Sequence, residues 1–230
     1  MTPNPHSSRM PIQRMHLSML KALIGNISQG HGVYPNMRNK CTLVVTISLC
    51  AATCAAQFFP KNSLDERKDD FKAKWYSHQL QALNEPSLWE MKSSPSTHAF
   101  RFLWLRTFHH PIAVRIELKP DGTGILTTKV ANGAGGYSPG TLTQDKSRTL
   151  AKAEVDAFLV KVEKSGFWAA PNPVNDQEGT DGSQWIIEGV RNGKYHVVDR
   201  WSPSKGVAHD LGMLLAFDLA KLNIPANEIY

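Results

Sequence analysis

The sequence predicts an α+β fold in which an antiparallel β-meander and a β-hairpin form one sheet, packed by two to three helices. Three observations predict it. Strand-like apolar runs are grouped and separated by short Gly, Pro or Asn-Gly turns. Other stretches repeat apolar residues at helical spacing. The order is helix, three or four strands, helix, two strands, helix, which lacks the strand-by-strand alternation of a parallel sheet.

The first helix is expected over 63–85. Ser63 is a good N-cap, and Glu66 three residues on completes a capping box. Leu64, Phe71, Trp75 and Ala82 fall near one face. Glu85-Pro86 ends the helix, because the residue before proline avoids the helical region. Residues 87–98 read as a polar loop. "FRFLWLRTFHHP" is an apolar-aromatic run with the character of a strand buried on both faces. "IAVRIELKPDG" alternates: Ile112, Val114, Ile116 and Leu118 face in, and Arg115 and Glu117 face out. Pro120-Asp121-Gly122 turns the chain into a third strand, "TGILTTKV". The glycine-rich stretch 131–140 reads as a mobile loop, and "TLTQD" as a short strand. Val155, Phe158, Leu159 and Val162 mark the next helix, which Gly166 stops. In the last helix Ala208, Leu211, Leu215, Leu219 and Leu222 form a stripe, and Gly212 would let it approach the sheet closely.

The hairpin "GSQWIIEGVRNGKYHVVDRW" (182–201) is the most determined element. Asn192-Gly193 selects a type I′ turn. The turn fixes the register: Arg191 opposes Lys194, Gly189 opposes His196, Ile187 opposes Val198, and Trp185 opposes Arg200. One face carries Trp185, Ile187, Gly189, His196, Val198 and Arg200. The other carries Gln184, Ile186, Glu188, Val190, Tyr195, Val197, Asp199 and Trp201. Trp185 opposite Arg200 allows a cation–π pair. A hairpin buried on both faces needs polar partners from elsewhere, such as Arg101 or Arg106 for its carboxylates.

The formal charge of +6 does not belong to the domain. Residues 1–56 hold five of the 26 Lys and Arg and no acid, so 57–230 carry 21 cations against 20 acids. A net of +1 gives no reason to expect a nucleic-acid partner. All three cysteines (Cys41, Cys50, Cys54) also lie upstream. This excludes a disulfide framework, a thiolate nucleophile or a Cys-ligated zinc in 57–230.

"MRNKCTLVVTISLCAATCAAQ" (37–57) has the charged, apolar and small-residue regions of a secretory signal peptide, cleaved after Ala55 or Ala56. Translation is expected to start at Met37, with 1–36 an upstream or disordered extension, 37–56 the signal peptide and 57–230 a single domain. Two alternatives share the same topology. The uncharged run 41–59 could remain as a membrane anchor, or Cys54 could be lipidated. Each places the domain outside the cytoplasm, periplasmic or secreted, with membrane contact only if 41–59 is retained.

Motifs for chemistry are few. "GYSPG" (136–140) has the G-x-S-x-G spacing of serine hydrolases, but Pro139 follows the serine and has no N–H for an oxyanion hole. His109-His110 cannot easily share one metal ion, since neighbours in extended chain point apart. No metal or cofactor is expected. Glu188 and Asp199 lie diagonally on one hairpin face, where a carboxylate pair could do acid–base work. Glu188, Asp199 and His109 are therefore the catalytic candidates. Arg106, Trp185, His196 and Arg200 are the binding candidates.

Several stretches together resemble a family of bacterial exported proteins with no assigned activity. They are "WYSHQLQALNEPSLW" (75–89), "RFLWLRTFHHPIAVRI" (101–116), "GAGGYSPG" (133–140), "GFW" (166–168) and "DGSQWIIEGVRNGKYHVVDRWSP" (181–203). The last carries the pattern DGxxWxxEGxxxGxYHVVxRWSP. The resemblance implies a bacterial source and agrees with a start at Met37. It transfers no catalytic residue.

The expected function is a non-enzymatic periplasmic or secreted domain binding a small ligand or an envelope component. One alternative is a hydrolase-type enzyme using Glu188 and Asp199, with Arg106, His109 or Arg200 orienting an anionic substrate. Another is an interaction or inhibitor-type module that presents its sheet to a protein.

Overall fold

The computed structural model describes residues 56–172, 179 and 181–230. The upstream extension, the expected signal peptide up to residue 55 and the three cysteines lie outside the described residues. Within them the chain forms one antiparallel sheet with helices on both faces, an α+β fold.

The strands are β1 (His98–Arg106), β2 (Ile112–Leu118), β3 (Gly124–Ala131), β4 (Leu142–Leu150), β5 (Ser183–Arg191) and β6 (Lys194–Trp201). Their order in the sheet is β4-β3-β2-β1-β5-β6. The meander and the hairpin therefore join edge to edge, through the β1–β5 pair. The helices are α1 (Asp69–Ala82), α2 (Leu88–Met91), α3 (Lys152–Ser165) and α4 (Val207–Met213).

The hairpin register is the one the Asn-Gly turn requires. Arg191 opposes Lys194, Gly189 opposes His196, Ile187 opposes Val198, and Trp185 opposes Arg200. Asn192 and Gly193 both take positive φ, 52° and 72°. Strand β4 runs nine residues, longer than "TLTQD", and pairs along the whole of β3. Its polar alternation suits an edge strand.

Both faces of the sheet are covered. On the first, Phe100, Phe102, Trp104, Val114, Trp185 and Ile187 pack under α3 and α4. Gly212 of α4 makes this approach possible: a Cβ there would lie 2.5 Å from the Trp185 ring. The chain widens into a π-helical turn at Leu214–Leu219, which buries Leu214, Leu215 and Ala216 in succession. The expected stripe still faces the core: Ala208, Leu211, Leu215 and Leu219 are buried and Leu222 packs against them, and the widening adds Leu214 and Ala216 to that buried face.

On the second face, Leu103, Leu105, Ile186 and Val197 meet Tyr76, Leu80 and Leu83, together with Phe58, Phe59 and Leu64. Here the sequence expectation needs correction. Helix α1 begins at Asp69, not after Ser63. The Ser63 hydroxyl donates to Pro60 O instead of capping. Asp65 accepts from the N–H groups of Arg67 and Lys68, forming a separate turn. The buried face of α1 is Lys72, Tyr76, Gln79 and Leu80, while Phe71 is 64% exposed. Polar partners on the sheet make that face possible. Arg115, expected outside, is buried beneath the chain that leaves α1, with Glu85 against its guanidinium. Residues 87–98 are not all loop, for Ser87 caps the one-turn helix α2. The glycine loop is fastened to the sheet, with Gly135 N donating to His109 O and Gly136 N to Thr107 O.

Candidate ligand-binding site

The expected carboxylate pair is the first arrangement to place. Glu188 and Asp199 do share the α1 side of the sheet, but each is held by its own partners. Glu188 is fully buried and accepts from Arg101 Nε at 2.8 Å, Arg101 Nη2 at 2.5 Å and Tyr195 Oη at 2.9 Å. Glu85 drops from the end of α1 onto Arg115 Nε at 2.9 Å and Arg101 Nη1 at 3.4 Å. Lys129 adds a third cation, 3.4 Å from Glu85. Burial pushes the Glu188 carboxyl above the usual range, and Arg101 and Tyr195 oppose that push. Burial and the neighbouring Glu188 carboxylate raise the Tyr195 phenol.

Asp199 accepts from Lys72 Nζ at 3.1 Å and from Tyr76 Oη at 3.0 Å. Lys72 also lies 3.5 Å from Asp65. Burial raises the Asp65 carboxyl, but the Arg67 and Lys68 amides and Lys72 outweigh it and hold the group low. Two networks thus stand in place of one acid–base pair, that of Asp199 beneath α1 and that of Glu188 beneath the 85–91 segment that follows it. Sealed, ion-paired carboxylates offer a substrate no approach.

The binding candidates separate. Trp185 lies among Phe102, Trp104 and His209, and the His209 ring stacks on it at 5.9 Å. The expected cation–π contact is replaced by this packing. Arg200 instead donates to Asn172 Oδ1, Pro171 O and its neighbour's Asp199 O. His196 bonds Ala170 O through Nε2 at 3.0 Å and meets the edge of Phe167. Burial lowers its pKa, the Ala170 bond opposes this, and Arg200 lowers it further. These three residues fasten the 167–172 segment and α4 to the hairpin.

Arg106 and His109 are brought together, at the far end of β1. Arg106 is 2% exposed, donates from Nη1 to Glu228 Oε2 at 2.9 Å and lies over the Trp104 ring. Its Nε–H is buried with no hydrogen-bond partner. Burial lowers the Arg106 pKa, and Glu228 opposes that. His109 Nδ1 bonds the Tyr230 hydroxyl at 2.7 Å, and its Nε2 lies 3.7 Å from Glu228.

Arg106 also lines a cleft of about 590 Å³ on the α3/α4 face, between β2–β4 and residues 220–224. Its floor is apolar: Ile112, Leu126 and Val130 from the sheet, with Leu222 and Ile224 opposite. Its polar rim has one sign. Arg106, Lys146, Arg148 and Lys221 contribute its charges, and no carboxylate is among its lining residues. Strand alternation explains the β4 part, since Gln144, Lys146 and Arg148 are spaced by two and project to one side. Arg148 is steadied by Glu154 at 2.9 Å and Leu219 O at 3.1 Å. Lys221 enters with φ at 53°, where the chain leaves the π-helical turn. An apolar trough with a cationic rim suits a ligand that has a hydrocarbon body and an anionic head.

Sequence reasoning singled out Arg106 in this cleft but missed Lys146, Arg148 and Lys221. The period-two spacing of Lys146 and Arg148 was a readable signal. The near-zero domain charge concealed it, because acids such as Glu154 and Glu228, which pair with Arg148 and Arg106 without lining the cleft, balance the count. Among the described residues no group of three His, Cys, Asp or Glu is placed to hold a metal ion, and no helix is long and apolar enough to cross a membrane. No family model matches the chain, and no curated protein matches it in sequence.

Proposed function

We propose that this is an exported, non-catalytic binding domain whose cleft takes an anionic amphiphile, an acyl or aromatic body bearing a carboxylate or phosphate. The observation that carries the reading is the cleft of about 590 Å³ with an apolar floor and an acid-free basic rim. Its size falls in the usual range for small-molecule sites, roughly 300–1,000 Å³. The acid–base reading of Glu188 and Asp199 loses support from their separate, buried ion pairs. Export is supported by the leader pattern of residues 37–56 and by the resemblance to bacterial exported proteins. It is also supported by Phe58 and Phe59, which enter the core directly after the expected cleavage site.

The test is calorimetric titration of the purified protein with decanoate, decyl phosphate and decanol. Decanoate and decyl phosphate should bind at one site, and decanol at least tenfold more weakly. Lys146→Glu combined with Lys221→Glu should weaken decanoate tenfold or more and leave decanol unchanged. Equal affinity for decanol and decanoate, or no binding of either, would overturn the reading.

A further inference from the structure

The cleft ends against the segment that follows Ile224. Residues 225–230 make a short 3₁₀ turn at Ala226–Glu228, closed by Glu228 N to Pro225 O at 2.9 Å and Ile229 N to Ala226 O at 3.2 Å. Ile224 and Ile229 rest half-buried on the core. Three polar groups, in four hydrogen bonds, then hold the segment over the end of β1. Glu228 bonds Arg106, and the Tyr230 hydroxyl bonds His109. The Tyr230 main-chain oxygen accepts from the Ser183 hydroxyl and from Trp185 Nε1. Ser183 Oγ in turn accepts from Trp104 Nε1 at 3.2 Å.

The asymmetry of the central pair matters. The Arg106 side chain is 3% exposed, and Glu228 is 28% exposed. A buried guanidinium requires a counter-anion, whereas a half-exposed carboxylate can return to water at little cost. Arg106 also faces the cleft and keeps a buried Nε–H without a partner. An oxyanion arriving from the cleft could satisfy that donor and take over the charge that Glu228 now balances, in the bidentate manner guanidinium favours.

We propose that residues 225–230 form an intramolecular strap, with Glu228 occupying on Arg106 the place of the ligand's anionic group, so that ligand entry releases the strap. This rests on the cleft reading above. Release would uncover Ser183, Trp185 and His109. Strap and ligand compete for one guanidinium, so each weakens the other by the same factor.

The experiment uses the whole protein, with decanoate as probe. Hydrogen exchange at the Glu228 and Ile229 amides should quicken when decanoate is added and stay unchanged with decanol. Glu228→Gln removes the competing charge and should tighten decanoate about fivefold or more, within the span typical of coupled sites. Tyr230→Phe, which removes the hydroxyl that meets His109 and the Phe108 backbone, should shift affinity in the same direction and serves if Glu228→Gln melts early. If decanoate binds but the amides stay protected and both variants bind it as the wild type does, the strap is fixed structure and the proposal falls while the cleft reading stands. If neither wild type nor Glu228→Gln binds decanoate, both fall.

Discussion

Arg101 and Glu188 stand directly opposite each other on β1 and β5, joined by two hydrogen bonds and both without solvent exposure. On its other flank Arg101 opposes Arg115 on β2. Two like charges side by side in a buried sheet repel unless anions separate them. Glu188 from the hairpin and Glu85 from the end of α1 supply those anions, so one ionic layer ties together the meander, the hairpin and the helix.

Removing one anion should therefore be costly. Glu188→Gln leaves Arg101 only Glu85, which it shares with Arg115 and Lys129, and should lower unfolding free energy by about 3–5 kcal/mol, as for other broken buried pairs. Replacing the pair together, Arg101→Met with Glu188→Leu, should cost less than the single change. Urea unfolding of the three proteins measures both. A single variant within about 0.5 kcal/mol of wild type, the usual range for surface changes, would show that the layer carries little stability.

Close approach of α4 gives a second test. A Cβ at Gly212 would lie 2.5 Å from Trp185 and 3.1 Å from Phe102, both rigid rings in the central core. Gly212→Ala should destabilise by about 1–3 kcal/mol through overpacking. Gly206→Ala would meet no atom within 4 Å, but its φ of 90° makes it a strained site and so a poor control. Lys164→Ala on the exposed side of α3 is the better comparison, and thermal melts should separate it clearly from Gly212→Ala.

The contrast between hairpin and helix shows what kind of information a chain displays locally. Asn192-Gly193 and strict alternation determine the register of β5–β6 within twenty residues, so every cross-strand pair there was readable. Which face of α1 is buried depends on Asp199 and on the carbonyls of Gly135 and Tyr137, which receive Lys72 and Gln79. Those partners lie more than fifty residues away, and polar residues such as Lys72 and Gln79 count as outward in any periodicity. Arg115 misleads for the same reason. The cleft is less legible still, because Arg106, Lys146 and Lys221 come from three separate segments and converge only in the fold. Arg106 was singled out as an arginine in an apolar run, without any sign of what it faces.

Two histidines predict an acid limb of stability. Burial lowers the pKa of His98, with Arg191 adding to the effect, and burial likewise lowers that of His196. Each is thus more readily protonated when unfolded, where the ordinary value is 6.5. Between the lowered folded value and 6.5 the unfolded chain binds more protons, so stability rises with pH. The contribution is complete above about pH 6.5 and is lost as pH falls through the folded values. His196→Gln should flatten the fall in melting temperature between pH 6.5 and 5. An unchanged slope would show that His196 is not one of the groups responsible.

The start of the folded chain bears on how the protein is processed. Phe58 and Phe59 are 4% and 3% exposed, and the Phe59 ring meets Tyr76 edge-on at 6.0 Å. The uncharged run 41–59 comes close to the usual length of a membrane span, about 20 residues, by including both. With them in the core, about 17 residues remain, or roughly 25 Å of helix against a hydrocarbon thickness of about 30 Å. We propose cleavage after Ala55 or Ala56, which leaves both phenylalanines in the core. Mass spectrometry of the protein from its native cells should find a mature N-terminus at Ala56 or Gln57. Phe59→Ala should cost about 3–5 kcal/mol of stability in the mature form. Recovery of chains still carrying residues 41–55 from the membrane fraction, with Phe59→Ala as stable as wild type, would favour the retained anchor instead.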